Sequence, residues 1–233
     1  DLNGNDSADK LRILSSIAFS TNISKNKILI EGIQNINLTD ILYAKKFGYK
    51  IKLLSISENK QKKLIERVHP CLVSNSSFLA NTDGVLNAIV IDAVPVGKTV
   101  LQGEGAGPGP TSSALISDLC SVLRGNIKYP FGISSSLKKK TNKFDILNHT
   151  SSSYFRIEVK DLPGVLSSIT KMFAKNKISI KNLLQNPDKK NKKATIIIIT
   201  HKSLAKNYNN LFSNLTRNKF VLKKPTFIRI EKL

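Results

Sequence analysis

Residues 154 to 231 constrain the fold more than any other part of the chain, because strand-like and helix-like segments alternate there in a fixed order. YFRIEVK (154–160) has the β-branched and aromatic content of a strand, and PGVLSSITKMFAKN (163–176) carries apolar residues at helical spacing with Pro163 in its first turn. ISIKNLLQ (178–185) and ATIIIITH (194–201) read as two more strands, SLAKNYNNLFSNLT (203–216) as a second helix and PTFIRIE (225–231) as the last strand. The order is βαββαβ. It closes into a four-stranded sheet with both helices on one face, a ferredoxin-like plan.

Ahead of that unit, residues 126–150 are rich in Ser, Lys and Asn, contain Pro130 and Gly132 and show no sustained periodicity, so they read as a linker. Residues 1–125 have a different texture. From Asp6 to Phe19 the apolar positions Ala8, Leu11, Leu14, Ile17 and Ala18 recur at helical spacing, with Asp6 placed to cap the start. A short strand at 27–30 comes next, then a helix that opens at Thr39-Asp40 and stops at Gly48. Strand-like runs follow at 49–57, 64–74, 85–94 and 98–102, then a glycine-rich loop and a helix from Thr111 to Arg124 ended by Gly125. The fold class expected for the whole is α/β (α+β): a mixed sheet in domain 1–125, a linker at 126–150 and a ferredoxin-like domain at 151–233.

No run approaches the ~18 consecutive apolar residues that a membrane helix needs, so no membrane span is expected. The first ten residues, DLNGNDSADK, begin with Asp rather than Met and lack the charged and apolar regions of a signal peptide, so the reading expects sequence before Asp1. The net charge of +21 invites nucleic acid as a partner. Against it, only six of the 37 basic residues are Arg, lysines are scattered along the whole chain, and aromatics are 6% with no Trp. No specific nucleic-acid partner is expected. Cys71 and Cys120 sit in apolar contexts and read as small core residues, in keeping with a reducing cytoplasm.

GEGAGPG, residues 103–109, follows a strand and opens a helix capped near Thr111 or Ser112. Free amide donors and a positive helix end would face whatever lies above the loop. Missing side chains at Gly103, Gly105 and Gly107 let a flat ligand approach the backbone, whereas Pro108 and Pro110 remove donors that a pyrophosphate cradle would use. A tight strand-to-helix turn needing positive φ is the alternative. Asp6 and Lys10 lie one helical turn apart, where a carboxylate can orient an ammonium; an N-cap Asp with an ordinary surface pair explains the same spacing. His69 in RVHP reads as a satisfied core or interface residue, His149 as part of the linker and His201 as a strand end. No group of His, Cys and carboxylates has metal-ligand spacing, and no metal residue is assigned in this chain.

Taken in order, DLNGNDSADK, LRILSSIAF, EGIQNI, FGYKIKLL, RVHPCLV, DGVLNAI and GEGAGPGPTSSALISDL resemble the catalytic domain of homoserine dehydrogenases. VKDLPGVLSSITKMFAKNKISI, from 159 onward, resembles an ACT domain, which many bacterial members carry at the C-terminus. The resemblance spans essentially the whole chain and lacks the N-terminal Rossmann domain with its glycine fingerprint, so this part alone is expected to be inactive. It implies NADP- or NAD-dependent interconversion of L-homoserine and L-aspartate 4-semialdehyde, in the biosynthesis of threonine, methionine and isoleucine. By resemblance to the D-L-x-G-x-D-x-x-x-K context, Lys10 transfers a proton and Asp6 and Asp1 bind substrate, while Gly103, Gly105 and Gly107 close on the nicotinamide end of the cofactor. Glu104 takes no role. ACT domains bind a small amino acid, here L-threonine, through the turn after the first strand, which points to Asp161 and Gly164, with Asn182 and Gln185 as weaker polar candidates. Asp161 capping the helix is an equal reading. The family also implies a homodimer or homotetramer in the cytoplasm. The competing function is a non-catalytic amino-acid-binding ACT module with the first half as scaffold.

Overall fold

A computed structural model describes residues 2–23, 28–60, 63–126, 129, 132–140, 142–143, 145–188 and 190–232. The first helix, α1 (Asn5–Phe19), starts from Gly4, whose φ of 83° fills the N-cap without any side-chain bond. Asp6 therefore lies in the first turn and does not cap it. The strand β1 (Leu29–Ile30) follows, and then α2 (Leu38–Lys46), whose true cap is Asn37: its side chain accepts from the Asp40 amide while Asp40 accepts from the Asn37 amide. The strands β2 (Tyr49–Lys60) and β3 (Lys63–Ser74) pair antiparallel over their full length.

β3 organises the molecule. One edge carries β2, and the other is shared by three short parallel partners at successive positions: β6 (Asn142–Lys143) beside Lys63 and Leu64, β1 beside Arg67 and Val68, and the C-terminal strand β11 (Thr226–Glu231) beside Cys71, Leu72 and Val73. The 126–150 segment is thus more than a spacer, since it supplies a strand to β3 and a second bridge from Lys139 to Thr21.

Beyond β11 the sheet continues through β7 (Thr150–Lys160), β9 (Lys193–Thr200) and β8 (Ile180–Asp188), all antiparallel, and the two-residue β10 (Ser203–Leu204) pairs with β7. The order β11-β7-β9-β8 is ferredoxin-like, with the helices α4 (Val165–Lys175) and α5 (Ala205–Thr216) as its crossovers. Val165, Ile169 and Phe173 on α4 and Tyr208, Leu211 and Leu215 on α5 meet Phe155, Ile157, Val159, Ile196 and Ile198 in one core. Each such side chain contributes roughly 1.5–3 kcal/mol when fully buried. Gly164, at φ 83°, is the N-cap of α4, so Asp161 does not cap it and Pro163 precedes it.

The opposite face of the same four strands is covered too. Tyr154, Ile197, Ile199, Ile228 and Ile230 pack with Leu72 of β3 and Ala44 of α2, with Tyr43 and Phe47 alongside. This explains the unbroken Ile run at 196–199: alternate residues face two different cores, so every position is apolar. On that face α1 seats Ala8 and Leu11 against Val68.

Outside these layers stand the hairpin of β4 (Leu86–Ala93) and β5 (Gly97–Glu104) and the helix α3 (Pro108–Leu123). No residue of α3 is buried, and Cys120 on it is half-exposed rather than a core residue. Among the described residues no helix is long and apolar enough to cross a membrane.

Candidate functional site

At the start of α1, Gly32 comes so close to the backbone of Leu2 and Asn3 that any side chain there would overlap the Leu2 carbonyl, and the Ile33 amide bonds that carbonyl at 3.0 Å. Gly4 then turns the chain into the helix. With Ala8 and Leu11 facing the sheet, Asp6 and Lys10 face outward on the other side. Lys10 Nζ lies 2.8 Å from Asp6 Oδ2, with side chains 71% and 51% exposed. One ammonium donor is thereby directed and the rest stay open, as does the second carboxylate oxygen. Asp1 lies outside the described residues.

Gly103, the last residue but one of β5, has open space where a Cβ would stand, whereas a Cβ on Gly105 would run into the side chain of Asn87. Gly107, at φ 118°, is the N-cap of α3, which begins at Pro108 and not near Thr111. Pro108 and Pro110 sit at the first and third helical positions, so the helix end offers few amide donors and does not suit a pyrophosphate. Among the described residues no hydrogen bond or ion pair joins this loop to Asp6 and Lys10.

The four ACT-region candidates do not converge within one chain. Asp161 and Gly164 follow β7, with the Asp161 amide on the Lys192 carbonyl. Asn182 pairs with Ile199, abreast of Tyr154, and Gln185 pairs with Ile196, abreast of Ile157. At about 3.3 Å per residue, Asn182 is roughly 23 Å back along the sheet from Asp161 and Gln185 about 13 Å. The two also lie on opposite faces, because Asn182 shares its side with Leu184 and Gln185 with Leu183.

Sequence reasoning missed the polar groups that join the two halves. Asp40, fully buried, accepts from Tyr154 Oη at 3.0 Å and from Arg156 Nε at 2.7 Å and Nη2 at 3.1 Å. Burial and that carboxylate push the Tyr154 hydroxyl far above the usual phenol range. Arg229 pairs with Glu31 at 2.5 and 3.2 Å. A cleft of about 630 Å³ opens between the 31–37 segment and β11 with α5, and most of its charged lining is engaged: Arg156 with Asp40 and Glu158, Arg229 with Glu31, and Lys223 with Glu158 at 3.0 Å, while Lys224 lies over the Phe212 ring.

His69 is buried but not satisfied, which corrects the sequence reading: its Nδ1 lies 3.1 Å from the Pro70 carbonyl, while Nε2 has no partner among the described residues. Burial and then Arg229 hold its imidazole well below its ordinary range. His149, through burial and then Arg67, is pushed down to about 4. Cys71 Sγ lies 3.1 Å from His69 Nδ1, and only the HxC spacing of the two residues marked that contact in the sequence.

Comparison with known proteins covers nearly the whole chain. The homoserine dehydrogenase family model matches residues 1–120, which include both Asp6–Lys10 and the glycine loop, and the ACT domain model matches residues 153–209. The chain is 37% identical to homoserine dehydrogenase of Helicobacter pylori over 99% of its own length and 54% of that protein, and 35% identical to that of Neisseria gonorrhoeae over 100% and 55%. It therefore spans about half the length of the curated relatives it matches. A crystal structure of homoserine dehydrogenase from Thiobacillus denitrificans superposes with a TM-score of 0.88 at 33% identity, over 99% of this chain and 54% of that one; the enzyme from S. aureus at pH 6.0 gives 0.66 at 26%, over 100% and 55%. With the family model matching just over half of its residues and the fold shared across its whole length, the chain belongs to the homoserine dehydrogenase family and carries an ACT domain after the matched region.

Proposed function

We propose that this chain is the substrate-binding and regulatory part of a cytoplasmic homoserine dehydrogenase, which interconverts L-homoserine and L-aspartate 4-semialdehyde with NAD or NADP on the route to threonine, methionine and isoleucine. The observation that carries the reading is the Asp6–Lys10 pair at 2.8 Å, presented on the open face of α1 within the family-matched region. Lys10 Nζ gives a proton to the aldehyde oxygen as it becomes an alcohol and takes it back in the reverse direction. Asp6 orients that ammonium, and with Asp1 it receives the charged amino group of the substrate.

The glycine loop fits contact with one end of a dinucleotide: there is open space beside Gly103 and positive φ at Gly107, but two prolines where a pyrophosphate needs donors. Gly103, Gly105 and Gly107 would hold the nicotinamide end, and the rest of the cofactor belongs to a nucleotide-binding domain of the kind the family has. When bound, the nicotinamide supplies the hydride donor or acceptor. Lys10 is open to water in this chain, so substrate and cofactor must cover it before its proton can be moved selectively. On this reading the chain alone does not turn over.

In the enzyme completed with a nucleotide-binding domain, Lys10→Ala lowers kcat by about 10²–10⁴-fold. Retained turnover would remove Lys10 from the chemistry. Regulation by L-threonine through Asp161, Gly164, Asn182 and Gln185 is the corresponding proposal for the ACT domain. Because those residues are spread over one chain, a shared site is formed by two copies in a homodimer or homotetramer. Calorimetric titration of L-threonine, with L-homoserine and L-lysine as comparisons, tests it: saturable heat for threonine alone supports a feedback sensor, and its absence in the completed enzyme removes that role.

A further inference from the structure

The cleft between the 31–37 segment and β11 takes in neither Asp6 nor Lys10, and its polar groups are unevenly spent. Arg156, Thr226 and Arg229 are buried in it, while Asn35, Asn209, Ser213, Lys223 and Lys224 are exposed along its mouth. Arg156 gives Nε to Asp40, one Nη1 hydrogen to Glu158 and both Nη2 hydrogens to Asp40 and Thr226, which leaves one Nη1 hydrogen over. Arg229 spends one hydrogen of each Nη on Glu31 and keeps Nε–H and two others. Thr226 Oγ1 accepts from Arg156 at 2.6 Å, and its own hydrogen has no acceptor among the described residues.

These leftover side-chain hydrogens are all donors. The charges lean the same way. Arg156, Lys223, Lys224 and Arg229 are matched by three carboxylates, those of Asp40, Glu158 and Glu31. Lys224 is the cation left over: among the described residues it has no ion pair, and its ammonium lies 5.8 Å from the centre of the Phe212 ring. Unspent donors beside one surplus positive charge ask for a monoanion rich in acceptors. Ile36, Phe212 and Phe227 add apolar wall, and about 630 Å³ is within the roughly 300–1,000 Å³ of small-molecule sites.

We propose that this cleft binds a small monocarboxylate with an acceptor oxygen next to the carboxylate, a 2-oxo or 2-hydroxy acid with a short apolar chain. The carboxylate takes Lys224 and the free arginine hydrogens, the 2-oxygen accepts from Thr226, and the chain lies against Phe212 and Phe227. An α-amino acid fits less well, because its ammonium adds donors where donors are already in excess. Occupancy also bears on the turn that carries Asp6. Glu31 and Gly32 form one wall of the cleft; Gly32 abuts Leu2 and Asn3, and the Ile33 amide holds the Leu2 carbonyl at 3.0 Å. A ligand bridging Lys224 to that wall braces the start of α1 as well. This coupling rests on the role proposed for Asp6 and Lys10, whereas the binding does not.

Calorimetry on the whole chain with 2-oxoisovalerate, 2-hydroxyisovalerate and L-valine, three molecules of one skeleton, reads the binding without any activity. The expected result is saturable heat at one site per chain for the oxo and hydroxy acids, with valine weaker by about 10-fold or more. Lys224→Met lowers the affinity about 10-fold, and Lys175→Met, the same loss of charge on the exposed end of α4, leaves it unchanged. Thr226→Val, folded by circular dichroism, weakens binding, and Thr226→Ser restores it. No saturable heat, valine bound as tightly as the oxo acid, or equal losses in Lys175→Met and Lys224→Met each overturns the site. In the completed enzyme 2-oxoisovalerate shifts the KM for homoserine about 5-fold or more. Binding with an unmoved KM overturns the coupling alone, and retained turnover in Lys10→Ala removes the role of Asp6 and Lys10 without touching the site.

Discussion

Asp40 shows how one residue can join two parts of a chain that sequence reading keeps apart. It sits at the third position of α2, inside its own capping box, and is fully buried, while both of its oxygens accept from Arg156 and one also from Tyr154. Removing one member of such a pair leaves a charge without compensation, so Asp40→Ala costs about 3–5 kcal/mol, and adding Arg156→Met recovers part of it. Urea denaturation of the two variants checks both statements; an unchanged midpoint for Asp40→Ala would show that Arg156 finds water instead. Gly32 matters for a different reason. Its backbone is ordinary but its space is taken: a Cβ there would stand 2.8 Å from Asn3 Cα as well as overlapping the Leu2 carbonyl. Gly32→Ala costs about 2–3 kcal/mol through forced backbone movement. Because Leu2 and Asn3 lead into the turn carrying Asp6, the same variant in the completed enzyme raises the KM for homoserine, measured by steady-state kinetics. EGIQNI carries the family resemblance, but nothing local to it signals that the crowding backbone lies thirty residues earlier.

At the scale of elements, β2 and β3 are held by their ladder and by a lateral charge pair. Glu58 on β2 meets Arg67 on β3 at 2.7 Å, with Lys60 on its other side. Burial raises its carboxyl, but Lys60 and Arg67 outweigh that and hold it below the usual carboxylate range. A carboxyl depressed on folding contributes stability that is complete above its unfolded pKa of about 4.3 and is lost as the pH falls through the folded value. Glu58→Gln therefore lowers stability by about 1 kcal/mol at neutral pH, and the gap from the parent closes as the pH falls from about 5 toward 3. Denaturation midpoints at a series of pH values check it, and a gap that stays constant over that range removes the ionised pair as its cause. Element types were legible from periodicity wherever one face of a segment met one core. Caps were less so. Asp6 and Asp161 were the polar residues nearest two helix starts, yet Gly4 and Gly164 take those caps at positive φ, where no side chain is needed. At α3 the prolines start the helix where the glycine run suggested loop.

For the whole molecule, the βαββαβ order was readable because each of its segments carries its own period. The joining of its sheet to β3 was not, because parallel pairing of β11 with β3 spans more than 150 residues of chain and leaves no local trace. One signal was present in the Ile run at 196–199: a sheet with one wet face alternates, and an unbroken run means that both faces are covered. The cover is α2, and Leu72, Ala44, Tyr154 and Ile197 form one core across the two family-matched regions, joined by Ile228 of β11. Two units that share a sheet and a core cannot open separately without exposing both. Thermal unfolding of the chain is therefore a single transition, with near- and far-ultraviolet circular dichroism coincident and calorimetric and van't Hoff enthalpies equal. Deletion of residues 151–233 removes the partners of Leu72 and Ala44 and uncovers the edge of β3 that β11 pairs, so the remainder loses its near-ultraviolet signal and becomes protease-sensitive. Two resolved transitions, or a folded remainder after the deletion, would mean that the shared core contributes little. The single transition instead makes any ligand of the ACT region a stabiliser of the Asp6–Lys10 region as well, because both rest on the same strand, β3, and its partners.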